Sequence, residues 1–258
     1  MSTIIQSIQD GVLCLALNRP EKYNAFNREM ALALQKALDE AKTTDDIRAV
    51  LITGNGKAFS AGQDLGEVTG DQPASFDVIL SEHYNPIIER IRQLEKPVLA
   101  AVNGVAAGAG ANIALCCDIV VAAESAIFIQ AFSKIGLIPD SGGTFFLPRL
   151  IGFQKATALM MLGDSVSSAE AERMGMIYQV FADDQLNPEA EKLATRLAQM
   201  PTQALGLTKK ALNASLHNAL LEQLAYEDKL QQKAAHTKDY QEGVNAFMEK
   251  RKPVFKGQ

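Results

Sequence analysis

Tryptophan is absent from this chain of 258 residues, and histidine and cysteine appear three times each. His83, His217 and His236 lie far apart, without metal-ligand spacing, so no metal site is expected. Cys14, Cys116 and Cys117 form no C-x-x-C pair, and two adjacent cysteines rarely bridge each other. With no signal-peptide pattern at Met1-Ser2-Thr3-Ile4, the expectation is a reducing, cytoplasmic setting. A strong charge of either sign is also missing. The net charge of −5 argues against a nucleic-acid partner but leaves room for a local basic pocket. Low-complexity segments and sequence repeats are not evident. The longest apolar stretch, Val98 to Ala123, is broken by Asn103, Asn112, Asp118 and several glycines. It reads as a strand, a turn and a buried helix, and no membrane partner is expected.

What is present is a globular composition, 47% hydrophobic and 21% charged, in a chain long enough to bury a substantial core. Two short strands, Ile4 to Gln9 and Val12 to Leu17, are joined by the turn Asp10-Gly11. Asn27 can cap a helix in which Met30, Leu34, Ala37, Leu38 and Ala41 recur at helical spacing. Strands are expected at Ala49 to Thr53, Val98 to Val102, Ile119 to Ala122 and Ala126 to Ile129. Helices are expected at Phe76 to Leu94 and Gly110 to Cys117. This alternation indicates an α/β architecture. From about Asn187 the pattern is helical, with one stripe at Leu193, Leu197 and Met200 and another at Leu216, Leu220 and Leu224.

Two glycine-rich turns follow strand-like runs: Phe59-Ser60-Ala61-Gly62-Gln63-Asp64-Leu65 and Asn103-Gly104-Val105-Ala106-Ala107-Gly108-Ala109-Gly110-Ala111-Asn112. Small residues let backbone N–H groups approach a ligand, and two N–H groups converging on one oxygen make an oxyanion hole. Taken singly, each glycine is better explained by tight helix–strand packing. A dinucleotide-binding reading of Gly108-Ala109-Gly110 fails at the third glycine, where Ile113 stands.

Considered together, Leu17-Asn18-Arg19-Pro20, Asn24-Ala25-Phe26, the two glycine turns, Cys117-Asp118 and Pro139-Asp140-Ser141-Gly142-Gly143-Thr144 resemble the enoyl-CoA hydratase/isomerase (crotonase) superfamily. The resemblance runs from about Leu13 to Phe247-Met248-Glu249-Lys250-Arg251-Lys252. It implies an α/β spiral of β-β-α repeats over residues 1–195, and a C-terminal helical trimerisation region over 196–258. A homotrimer or homohexamer is implied, with an acyl-CoA thioester ligand. Coenzyme A is then part of the substrate, and no separate cofactor is expected.

The same resemblance implies oxyanion donors at the N–H groups of Ala61 and Ala109. It assigns coenzyme A contacts to Lys22, Ala25, Ala61, Gln63, Asp64 and Leu65, and to Phe247 and Lys250 from the end of the chain. Read alone, Lys250-Arg251-Lys252 is a solvated basic helix end.

Hydratases of this family use two carboxylates, and the corresponding positions here are Asn112 and Phe132. Neither side chain can shuttle a proton at neutral pH. Asp140, read alone, is a helix cap before Ser141-Gly142-Gly143. In the family it faces the acyl chain, where one carboxylate in an apolar pocket suits isomerisation. Asn112, Phe132 and Tyr84 are expected to line the acyl pocket, although for Tyr84 and His83 a packing role is the simpler reading. Further segments, among them Ala131 to Asp140 and Tyr240 to Phe247, are similar to the branch of the family that isomerises ring-1,2-epoxyphenylacetyl-CoA in phenylacetate degradation. The chain departs from that pattern at Asn112 and across Asp71 to Phe76. A Δ3-Δ2-enoyl-CoA isomerase, a 2-enoyl-CoA hydratase and a non-catalytic CoA-binding scaffold are the alternatives.

Overall fold

Asp10 and Gly11 adopt positive φ, 50° and 77°. Their two-residue turn joins β1 (Ile4–Gln9) to β2 (Val12–Leu17) as an antiparallel hairpin with Ile4 opposite Leu17. The computed structural model describes residues 2–69, 73 and 75–258, so part of the departure across Asp71 to Phe76 lies outside the described residues. Asn27 caps α1 (Arg28–Thr43), its side chain accepting the Met30 N–H at 2.9 Å. Met30, Leu34, Ala37, Leu38 and Ala41 are buried on one face, as their spacing requires.

From β3 (Ala49–Gly54) the chain winds as a spiral. β3 runs parallel to β2 in a six-stranded sheet, and β4 (Ala58–Ser60) crosses into a four-stranded one. After the short α2 (Gly66–Thr69) and α3 (Phe76–Val78), a π-helical segment (Ile79–Tyr84) leads into α4 (Asn85–Gln93). The next coil repeats the plan with β5 (Val98–Val102) in the large sheet, β6 (Val105–Ala107) in the small one, and then α5 (Ala109–Leu115). β7 (Ile119–Ala123) and β8 (Ile127–Ile129) follow suit. The repeat invisible in the residues is therefore present in the topology.

A 3-10 turn (Ala131–Ile135), α6 (Gly143–Ile151) and α7 (Phe153–Leu162) come next. β9 (Ser165–Ser167), α8 (Ser168–Arg173) and β10 (Gln179–Phe181) close the two sheets, ordered β1-β2-β3-β5-β7-β10 and β4-β6-β8-β9. Asp118 accepts the Val98 N–H and pairs with Arg92 and buried Lys209.

α9 (Leu186–Ala198) lies across the large sheet and buries Leu186, Ala190, Ala194 and Ala198. The expected boundary between residues 195 and 196 thus lies within α9 itself, and the C-terminal helical stretch continues with α10 (Thr202–Ser215). α11 (Leu220–Ala235) and α12 (Lys238–Met248) complete it. In the first stripe, Leu193 and Leu197 pack against the core. In the second, Leu220 and Leu224 are exposed, together with Leu221. No helix among the described residues is long and apolar enough to cross a membrane.

Candidate active site

The two glycine turns meet. Gly62 holds φ at 90°, and a Cβ on it would lie 2.9 Å from the Ala107 carbonyl oxygen and 3.4 Å from the Ala109 nitrogen. Only glycine lets the first turn come this close to the start of α5. On the other side, a Cβ on Gly110 would lie 2.5 Å from the Ser60 carbonyl oxygen. The close approach follows from the topology, because β4 and β6 are paired neighbours whose ends carry the turns.

Ala109 is the first residue of α5, so its N–H has no intrahelical acceptor. Among the described residues it donates to no backbone or side-chain oxygen, and the helix dipole there favours an anion. Ala61 differs from expectation. Its N–H donates to the Tyr23 carbonyl at 2.9 Å, so it is already used in holding segment 22–26 beside the turn. The available donor of the first turn is Gln63. In the parallel bridge between Phe26 and Gln63, the bonds are made by Phe26 N–H to Gly62 O and by Asp64 N–H to Phe26 O. Gln63's own N–H therefore points away from Phe26, and it finds no acceptor among the described residues. Sequence spacing could not separate positions 61 and 63, because the choice rests on a pairing with a distant segment.

A cleft of about 410 Å³ opens at this junction. Ala61, Gly62, Gln63 and Leu65 form one side, Gly108 and Ala109 another, and Phe132, Tyr84, Ile79, Phe76 and Leu137 the apolar wall. A larger groove of about 540 Å³ runs between α10 and α11 and holds neither turn, so the smaller cleft is the chemically relevant one. The π-helical winding at Ile79–Tyr84 brings residues five apart onto one face, which is how Ile79 and Tyr84 both reach the cleft. Tyr84 is 1% exposed, and its hydroxyl donates to Gln63 Oε1 at 2.8 Å. Burial, with the charge of Asp140 added, pushes the Tyr84 hydroxyl well above its ordinary value. His83, on the same segment, is buried beside Arg28 at 3.2 Å and does not line the cleft.

Asp140 lines the cleft and is not a cap. The residue before α6 is Gly142, and no side chain bonds the helix start. Its Oδ1 accepts the Ser141 hydroxyl at 2.8 Å. Burial pushes the Asp140 carboxyl above the ordinary aspartate value, and the Ser141 hydrogen bond opposes that rise. Among the described residues it is the only carboxylate lining the cleft.

Asn112, expected in the acyl pocket, is not in the wall. It is 1% exposed and both ends of its amide are engaged. Nδ2 donates to the Asp140 carbonyl at 2.8 Å, and Oδ1 accepts from Gln130 Nε2 at 2.8 Å. It therefore sits behind the site and supports the Asp140 turn. Phe132 does stand in the wall, its ring facing Gly108.

Of the expected coenzyme A contacts, Gln63 and Leu65 line the cleft with Ala61. Asp64 is turned into an ion pair with Arg19 at 2.8 Å, and Arg19 also donates to the Ala25 carbonyl. Ala25 is buried next to the turn and Lys22 is exposed beside it. Phe247 and Lys250 are not brought to the cleft by their own chain. Phe247 is 83% exposed on α12, in a groove shared with Tyr240, Val244 and Phe255.

The family model for enoyl-CoA hydratase/isomerase matches residues 7–258. The 1,2-epoxyphenylacetyl-CoA isomerase of Escherichia coli (strain K12) is 47% identical over 261 residues, covering 100% of this chain and 99% of that protein. The 2,3-dehydroadipyl-CoA hydratase of the same strain is 38% identical over 257 residues, covering 100% of each. The crystal structure of enoyl-CoA hydratase from Bacillus anthracis matches with a TM-score of 0.93 at 34% identity, over 99% of this chain and 100% of the other. Two meeting glycine turns, a two-sheet spiral and identity along the whole length agree, and the chain belongs to the enoyl-CoA hydratase/isomerase (crotonase) family.

Proposed function

We propose that this protein is an acyl-CoA isomerase whose favoured substrate is ring-1,2-epoxyphenylacetyl-CoA. The observation that carries the reading is the single carboxylate among the described residues of the cleft, Asp140, opposite two N–H groups without acceptors. The thioester oxygen sits between the N–H groups of Gln63 and Ala109. Asp140 takes a proton from the carbon next to the thioester, and the electron pair passes into the carbonyl as an enolate held by those donors. The ring C–C bond bridged by the epoxide oxygen breaks, both C–O bonds are kept in the seven-membered oxepin, and the proton returns to a ring carbon, so the formula is unchanged. Hydration needs a second group to handle the proton on water. Phe132 stands where one is required, and Asn112 is committed to the Asp140 carbonyl.

The ring substrate is supported by the 47% identical relative and by the Phe132, Tyr84 and Phe76 wall. The coenzyme A moiety runs out past Leu65 and Lys22. In a trimer or hexamer, Phe247 and Lys250 of a second copy reach it, and the exposed Leu220, Leu221 and Leu224 supply apolar surface for assembly. A cytoplasmic setting is part of the same proposal.

The test is to assay wild type and Asp140→Asn with the ring epoxide and with a 3-enoyl-CoA in deuterated water. Turnover of the epoxide by wild type and its loss in Asp140→Asn are expected. Reaction of the straight chain alone makes the protein a Δ3-Δ2-enoyl-CoA isomerase. Hydration of a 2-enoyl-CoA at a comparable rate contradicts the isomerase reading, and no turnover of any thioester leaves a CoA-binding scaffold.

A further inference from the structure

Ser141 is a serine in a place that favours glycine. Its φ is 51°, the next residue Gly142 has φ 74°, and Ser141 is 2% exposed. A non-glycine residue held left-handed is strained, and such strain persists only where the surroundings enforce it. Here the enforcing groups are visible. The Asp140 carbonyl, at the head of the turn, accepts both the Gly143 N–H at 2.8 Å and Asn112 Nδ2 at 2.8 Å. Asn112 is in turn fixed by Gln130. What the strained backbone gains is a hydroxyl next to the carboxylate, bonded to Asp140 Oδ1 at 2.8 Å. Asp140 Oδ2 accepts no hydrogen bond from another described residue.

We propose that Ser141 is a positioning residue for Asp140: its hydroxyl occupies Oδ1, fixes the carboxylate plane, and leaves Oδ2 as the oxygen that exchanges the substrate proton. This rests on the isomerase reading of Asp140 and deepens it. The titratable side chains that share the cleft are Tyr84, from the π-helical segment, and Lys134, from the 3-10 turn. α5 contributes only the neutral Asn112. Near the first turn, Asp64 is paired with Arg19, and Glu67 accepts from the Arg28 N–H and Gln63 Nε2. A hydrogen bond donated to the ionised carboxylate favours that form, so its loss moves the acid limb of the rate profile to higher pH.

The experiment compares Ser141→Gly with Ser141→Ala. Glycine relieves the left-handed strain and alanine keeps it, and both lose the hydroxyl. In both variants kcat is expected to fall by about tenfold or more, with KM within about twofold and the acid limb displaced upward. Thermal melting should show Ser141→Gly folded. An acid limb unmoved in both variants overturns the proposal, as does a change in Ser141→Ala that is missing from Ser141→Gly. Asp140→Asn, run alongside, separates the failures. Activity surviving there overturns the reading of Asp140 itself. Activity lost there, with unmoved limbs in both Ser141 variants, overturns only the role of Ser141.

Discussion

The Tyr84 hydroxyl and the Gln63 side chain are joined by a 2.8 Å hydrogen bond, which ties the π-helical wall of the cleft to the first glycine turn. Gln63 Nε2 also reaches Glu67 at 3.2 Å, so the residue whose backbone N–H faces the cleft is held at both ends of its amide. Tyr84→Phe leaves the Gln63 oxygen without its donor. The expected cost is about 1 kcal/mol, because a half-buried acceptor loses its partner. Urea melts should show this, together with a reduced kcat as the turn loosens.

Gly62→Ala forces a methyl group toward the Ala107 carbonyl oxygen, 2.9 Å away, from a backbone at φ 90°. Displacement of one oxyanion donor typically lowers the rate on the order of 10²–10³. Steady-state kinetics should find that loss in kcat/KM, while circular dichroism still reports a folded chain.

The pH dependence has a definite sign. Burial raises the Asp140 carboxyl above its ordinary aspartate value. Because the base is the ionised form, activity should fall as pH drops through that raised value, giving an acid limb above the usual aspartate range. For stability the direction is opposite. A raised folded-state value favours the protonated form, so its contribution is complete below the unfolded aspartate value and is lost as pH rises through the folded one. Asp140→Asn should therefore melt no lower than wild type at pH 7, with the difference shrinking in acid.

Asn112→Ala removes a donor from the Asp140 carbonyl and, among the described residues, the only partner of the Gln130 side chain, whose Oε1 already accepts no hydrogen bond from them. A destabilisation of about 1–3 kcal/mol is expected from the unpaired buried groups. Turnover should also fall, although Asn112 is absent from the cleft wall. Denaturant titration and single-turnover rates measure the two effects separately.

Much of this was legible in the residues. Asp10-Gly11 marks its hairpin, Asn27 its helix cap, and the strands at Ile4 to Gln9 and Val98 to Val102 match their apolar runs, because those signals are local. The glycine turns pointed to the site, and Phe132 and Asp140 were recognisable by chain order within a family pattern. What was not legible depends on distant partners. Ala61 and Gln63 are distinguished only by Tyr23 and Phe26, and Asn112 is known as a support only once Gln130 and Asp140 surround it. The π-helical winding at Ile79–Tyr84 also has no separate residue signature, since its apolar pattern fits an ordinary helix.

The spiral itself separates two duties of the enzyme. The N–H groups of Gln63 and Ala109 come from successive coils and, in the proposed reaction, grip the feature shared by every thioester. Asp140, the side chain proposed to handle the proton, comes from the stretch leading into α6, on a later coil. A substitution there can change which bond is rearranged without loosening the hold on the carbonyl. Reaction type and ligand class can thus drift independently within one scaffold.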